Sequence, residues 1–165
     1  MMMFGLSLAA FTDLHTVISL VAIAAGLIFF GALAFGGRWL WAANMLFLAF
    51  TILTSATGFL FPLVGVTPAV IFGVISLILL ALSLYALFAV RLAGRWRIVY
   101  LATALIAQWL NMVVLVVQSF QKVPALHALA PTGAEPAVLV AQGIMLVLVA
   151  FAAWRTLWRA RGVAA

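Results

Sequence analysis

Five long apolar segments constrain what this chain can fold into. A helix needs about 20 mostly apolar residues to cross a bilayer. Short turns join the first four segments, and a sixteen-residue loop, residues 121–136, joins the last two. The segments are approximately residues 13–35, 39–61, 68–90, 98–120 and 136–157. The sequence therefore predicts an all-α polytopic membrane helix bundle with five transmembrane helices, forming a single integral membrane domain over residues 1–165.

Composition supports lipid rather than water as the surroundings of this bundle. Only 6% of the 165 residues are charged and 70% are hydrophobic, whereas about a quarter of the residues of a soluble domain are charged. The net charge of +6 does not indicate nucleic acid, because the basic residues stand at the ends of the apolar segments. The chain has no cysteine, which excludes disulfides, thiolate metal sites and cysteine nucleophiles.

The basic residues predict the orientation of the bundle. Cytoplasmic loops of membrane proteins are enriched in lysine and arginine. With five spans, Lys122 stands alone on one side and the other seven basic residues stand on the opposite side. Those seven are Arg38, Arg91, Arg95, Arg97, Arg155, Arg159 and Arg161. This distribution predicts an N-out, C-in topology, with Ala165 in the cytoplasm and the 121–136 loop outside.

The first segment is predicted to be a retained span rather than a cleaved signal peptide. No lysine or arginine precedes Arg38, so the positive region that opens a signal peptide is missing. We expect Asp13 to cap the first helix, and residues 1–12 to lie at the outer interface. The two carboxylates, the two histidines and the single lysine all fall at the predicted outer face; they are Asp13, Glu135, His15, His127 and Lys122.

Side-chain amides form a polar stripe on the fourth helix. Gln108, Asn111 and Gln118 are spaced so that they share one helix face, and Gln142 lies at a depth similar to that of Asn111. An amide in hydrocarbon has to find a partner, so we expect all four to point into the bundle. Two interpretations remain open: the amides hold helices together, or they line a polar chamber that opens outward.

The chamber hypothesis names a set of candidate ligand-binding residues, with His127 placed in the cover of the chamber. The set is His15, Asn111, Gln118, Lys122, His127, Glu135 and Gln142. Structural roles compete with binding: Glu135 fits a capping box with Thr132, and Lys122 is typical of a residue that snorkels to the interface. Histidines and carboxylates are metal-ligand types, but their spacing is not that of a metal site. No catalytic signature appears, and the residues identify no cofactor.

Three stretches resemble a family of small bacterial multi-pass inner-membrane proteins with no assigned function. The stretches are His15–Leu20, Thr54–Phe59 and Gln118–Thr132, within a similarity over about residues 13 to 150. Members carry a second proline and an aromatic residue after Glu-Pro, where this chain has Ala137 and Val138. The resemblance implies a bacterial inner membrane and supplies no activity.

These features favour a non-catalytic inner-membrane protein with a periplasm-facing polar chamber for a small amphipathic molecule, quinone-like or lipid-like. The alternative is an accessory or assembly subunit of a larger membrane complex. A small oligomeric transporter is a third interpretation, although ion-coupled transport usually needs an ionisable residue at mid-membrane. The partners expected are the lipid bilayer, a quinone or lipid ligand, and a membrane protein or a further copy of the chain; nucleic acid is not expected.

Overall fold

The computed structural model describes residues 2–3, 5–62, 65 and 67–162 and has an all-α architecture with five helices long and apolar enough to cross a membrane. The elements in chain order are a two-residue pairing of β1 (Met2–Met3) with β2 (Leu6–Ser7), then α1 (Leu8–Gly31), α2 (Trp41–Gly58), α3 (Pro68–Leu84), α4 (Trp96–Lys122), α5 (Pro124–His127) and α6 (Pro136–Gly162). Single π-turns extend α1 over Ala32–Gly36 and α3 over Tyr85–Ala89. The side chain of Arg161 and the end of the chain, including Ala165, lie outside the described residues.

The first helix begins earlier than the sequence predicts, and Asp13 does not cap it. Ser7 is the N-cap, since its hydroxyl accepts a hydrogen bond from the backbone N–H of Ala10 at 3.2 Å. Asp13 is exposed in the second turn of α1. The apolar residues before Asp13 therefore extend the helix, because a short polar residue next to Leu8 satisfies the orphan backbone donors nearly two turns earlier.

Two other predictions that the sequence makes from adjacent residues are confirmed. They are an N-cap at Thr67 with Pro68 at the first helical position, and a short helical turn over residues 124–129 of the long loop. Thr67 caps α3, its hydroxyl accepting from the Val70 N–H at 3.4 Å, and Pro68 occupies the first turn, where its missing N–H costs no hydrogen bond. The loop after α4 contains a helical turn, α5, which begins at Pro124.

The interior of the bundle is built around α4. Tyr100, Leu101 and Ala104 on this helix are fully or almost fully buried against Phe29 of α1 and Phe47 of α2. In contrast, α6 exposes most of its apolar side chains, including Leu139, Val147 and Trp158. Exposed apolar surface of this kind on a spanning helix faces lipid, so α4 is the central helix and α6 a peripheral one.

The helices alternate in direction, which sorts polar groups to two ends. We call the end that holds the start of α4, the end of α6 and Arg38 the arginine end. The end that holds the start of α1, the end of α4 and α5 is the histidine end. Contacts between helices support this arrangement: Arg155 of α6 donates to the Ala34 carbonyl at 3.0 Å, and Arg97 of α4 lies over the ring of Trp39.

Candidate functional site

Gln108 is held at the centre of the bundle by α1. Its side chain is only 3% exposed, and its Nε2 donates to the Ile23 carbonyl at 3.2 Å. The amide fits because residue 26 is glycine: a Cβ there would lie 2.1 Å from Oε1 of Gln108. That oxygen is buried without a hydrogen-bond partner in the described part of the chain. The first amide of the stripe thus joins two helices at close range.

Two further amides of the predicted set also bridge helices. Nδ2 of Asn111 donates to the hydroxyl of Thr51 on α2 at 3.3 Å. Nε2 of Gln142 on α6 donates to the main-chain carbonyl of Val113 on α4 at 3.1 Å. These contacts support the interpretation of the stripe as interhelical hydrogen bonding, since the donors are used within the bundle.

His15 is fixed by α2 in a defined orientation. Its Nδ1 lies 2.8 Å from the hydroxyl oxygen of Thr57. That hydroxyl has a single hydrogen, which it donates to the Leu53 carbonyl at 2.7 Å, so its oxygen accepts from Nδ1–H of His15. We assign the tautomer from this network. In the neutral ring, Nε2 is therefore left as a hydrogen-bond acceptor.

The surroundings of His15 combine aromatic rings with a cation. The ring of Phe61 meets His15 edge-on with centroids 5.2 Å apart, and Phe11 packs on Phe61 at 5.0 Å. Lys122, at the end of α4, is close enough for its charge to act on the His15 ring. Gln118 lies one turn before Lys122 on α4 and is half-buried. The fold thus places two of the predicted residues, His15 and Lys122, within range of each other's charge.

Glu135 closes the loop before α6. Its Oε1 accepts from both the backbone N–H and the hydroxyl of Thr132, each at 2.8 Å. The predicted Thr132–Glu135 contact therefore forms, but α6 itself begins at Pro136. The backbone N–H of Thr132, which stabilises the ionised carboxylate, holds the pKa of Glu135 below its usual range.

The histidine of the long loop, unlike these groups, has an exposed side chain. His127 is exposed on α5, whereas Leu126 beside it packs against the cluster of Phe120, Ala130 and Val138. That cluster fixes the loop to the ends of α4 and α6. No group of three histidine, cysteine, aspartate or glutamate side chains that could hold a metal ion occurs among the residues the structure describes.

A second polar region, not predicted from the sequence, lies at the arginine end. A cleft of about 380 Å³ opens between the end of α1, the start of α4 and the end of α6. It is lined by Leu33, Gly37, Arg97, Leu101, Thr156, Arg159 and Ala160. In the sequence these arginines indicate topology alone. The available signal was the spacing of Thr156 and Arg159, which places both on one face of α6.

Two other buried polar pairs at this end join helices to one another. The hydroxyl of Tyr100 donates to Oδ1 of Asn44, joining α4 to α2. The hydroxyls of Ser83 and Thr103 lie 2.7 Å apart and join α3 to α4. These contacts fix α4 in place beside the cleft.

Comparisons of this chain with protein-family models, with curated proteins and with solved structures find no match.

Proposed function

We propose that this chain is a non-catalytic multi-pass protein of a bacterial inner membrane that binds a small amphipathic molecule, quinone-like or lipid-like, at its histidine end. The observation that carries the proposal is the fixed His15 ring, whose Nδ1 is engaged by Thr57 at 2.8 Å. A ring held in one tautomer presents one defined acceptor, Nε2, to a ligand.

The groups around His15 suit a polar head on an apolar body. Nε2 would accept a hydrogen bond from the hydroxyl of a reduced quinone or of a lipid alcohol. The ammonium of Lys122 and the amide of Gln118 are donors, which match a carbonyl or anionic head. Phe11 and Phe61 supply aromatic surface beside the ring, as is typical of pockets that bind mostly apolar ligands.

The orientation within the membrane is part of the proposal. Seven of the eight basic residues belong to one side under the five-span topology, and lysine and arginine are enriched on the cytoplasmic side. The histidine end then faces the periplasm, and a ligand reaches His15 from the outer leaflet. Glu135 and His127 would border the entrance through the loop that connects α4 to α6.

Photo-crosslinking of the purified full chain with a quinone probe and a lipid probe tests the proposal. We expect labelling of the wild type to fall strongly in His15→Ala and to fall less in Thr57→Val, which frees the ring. Thr16→Ala is the matched control, because Thr16 is exposed on α1 beside His15, donates its hydroxyl to the Thr12 carbonyl and belongs to no candidate set. Equal labelling of wild type and His15→Ala contradicts binding at this site.

The same purified protein distinguishes ligand binding from the alternative role of an accessory or assembly subunit. A bound small molecule in protein purified in mild detergent supports the proposal, and its identity separates a quinone from a lipid. A membrane protein that copurifies in stoichiometric amount, with no bound small molecule, supports the role of an assembly subunit instead.

A further inference from the structure

The cleft at the arginine end is distinct from the proposed ligand site, and its lining carries uncompensated positive charge. Arg97 and Arg159 enter it from α4 and α6. The chain has only two acidic side chains, Asp13 and Glu135, and both lie at the histidine end. An anion entering this cleft would therefore meet two arginines and no acidic side chain.

A buried hydroxyl without a partner points to what the cleft accepts. Thr156 is only 2% exposed and lines the cleft, and its Oγ1 has no hydrogen-bond partner in the described part of the chain. A helical threonine usually donates to the carbonyl four residues earlier, as Thr16 does to Thr12 at 2.8 Å. The hydroxyl of Thr156 makes no such bond and remains available as a donor to a ligand oxygen.

The two arginines are held in position without being neutralised. The guanidinium of Arg97 lies over the ring of Trp39, 5.9 Å from its centroid, and its Nε is buried without a partner among the described residues. Arg159 packs against the left-handed turn at Gly37, where an added Cβ would lie 3.2 Å from Nη1 of the arginine. Arg155 differs, since its Nε already donates to the Ala34 carbonyl. Arg97 and Arg159 thus retain donors for a ligand.

We propose that this cleft binds a phosphate group, with Arg97 and Arg159 pairing its charged oxygens and Thr156 donating to a third oxygen. Guanidinium groups match phosphate geometry with paired hydrogen bonds. The phosphate can belong to a lipid headgroup or to a free phosphate compound. A shallower groove of about 250 Å³, lined by Trp154, Arg155, Trp158 and Arg159, shares Arg159 with the cleft. That groove leads to exposed tryptophans, which favours a lipid as the source.

Binding to the delipidated full chain in detergent tests the site. The probes are phosphatidylglycerol, diacylglycerol as the lipid without phosphate, and inorganic phosphate. We expect phosphatidylglycerol to bind and diacylglycerol not to bind. Binding of inorganic phosphate with comparable affinity would identify a free phosphate compound as the source. Binding of both lipids alike overturns the proposal, since the phosphate then contributes nothing.

Substitutions locate the binding. Arg97→Gln and Arg159→Gln should each weaken phosphatidylglycerol binding by about ten- to a hundredfold, the effect of losing a hydrogen bond to a charged group. Arg91→Gln removes the same charge from an exposed turn outside the cleft and should leave binding nearly unchanged. An equal loss in Arg91→Gln shows general electrostatic attraction and contradicts a built site.

Thr156→Val provides a test that leaves every charge in place. The valine side chain has nearly the volume of threonine but lacks the hydroxyl, so the fold should persist and binding should fall by about tenfold. Far-UV circular dichroism checks that each variant is folded. If an arginine variant does not fold, Thr156→Val decides, and wild-type affinity in that variant overturns the proposal.

Discussion

Nε2 of Gln108 donates to the main-chain carbonyl of Ile23 at 3.2 Å, so a side chain of the central helix reaches the backbone of its neighbour. This approach depends on Gly26, one turn further along α1, where a Cβ would lie 2.1 Å from Oε1 and 2.6 Å from Cδ of Gln108. Cδ2 of Phe47 would lie 2.9 Å from that added Cβ. The glycine therefore serves close packing, as small residues between spanning helices commonly do.

Gly26→Ala should destabilise the bundle by about 1–3 kcal/mol, the usual cost of overpacking a close contact. Gly31→Ala is the matched control, because an added Cβ there meets nothing within 4 Å. Thermal unfolding in detergent measures both variants. The double variant Gly26→Ala/Gln108→Ala should recover part of the loss, and an unchanged unfolding temperature for Gly26→Ala would contradict the close contact.

Tyr100→Phe should cost about 1–3 kcal/mol, since it removes the donor to Asn44 and leaves a buried acceptor unsatisfied. The Nδ2 atom of Asn44 already lacks a partner among the described residues, so the asparagine would be wholly unpaired. Tyr85→Phe, at a tyrosine that is 51% exposed, should have little effect. Equal unfolding temperatures for Tyr100→Phe and Tyr85→Phe would show that the hydrogen bond between Tyr100 and Asn44 contributes nothing to stability.

Asn111→Leu should cost about 1 kcal/mol if the residue joins α4 to α2 through Thr51. A double-mutant cycle with Thr51→Val isolates the pair, because the second substitution should have little effect once the first is present. Strictly additive losses would show that the two side chains do not stabilise each other. In that case Asn111 would return to the set of candidate ligand-binding residues.

The loop before α6 should loosen at low pH. The pKa of Glu135 is lowered in the folded chain by the backbone N–H of Thr132, so its ionised form stabilises the loop. That contribution is fully present above the ordinary glutamate pKa of about 4.3 and is lost as pH falls through the lower folded value. Hydrogen exchange at the Thr132 amide measures it. Glu135→Gln should remove the dependence, whereas Asp13→Asn, at the other carboxylate, should preserve it.

Reporter fusions test the orientation of the helices. A reporter inserted at Gly133 should give a periplasmic signal, and one fused after Ala165 should give a cytoplasmic signal. The reason is that seven of the eight basic residues lie on the same side as Ala165 in the five-span topology. A cytoplasmic signal at Gly133 would reverse the topology. It would also place the proposed ligand site and the proposed phosphate site on exchanged sides of the membrane.

Hydropathy predicted the five helices because a span has to be continuously apolar. This property can be read from each segment without knowledge of the rest of the fold. Local signals also predicted the Thr67 cap and the turn at Pro124, since both depend on residues adjacent in sequence. The prediction that α1 starts at Asp13 was wrong because the residues before Asp13 are as apolar as the helix itself. The boundary depended on which of the two polar residues, Ser7 or Asp13, served as the N-cap.

The arginine-end cleft was beyond sequence reasoning for a different reason. Arg97, Thr156 and Gly37 come from three distant parts of the chain, and only helix packing brings them together. Nor does the sequence say which polar side chains are left without partners, because that depends on the packing of every neighbour. Gln108 and Asn111 of the α4 stripe find hydrogen-bond partners on neighbouring helices as predicted, but the identity of their partners was not predictable.

The π-turn at Ala32–Gly36 sets where the chain points as it leaves α1. A hydrogen-bonded ring of the π type contains one residue more than an α-helical ring. Deleting one residue there would allow an ordinary α-turn to close while Leu8–Gly31 kept its packing. The wider turn absorbs the extra residue, so the residues that follow would keep nearly the same position around the helix axis, and Gly37 would stay beside Arg159. This turn can therefore lose one residue without misaligning the cleft, whereas a deletion within Leu8–Gly31 would rotate everything after it by about 100° around the helix axis.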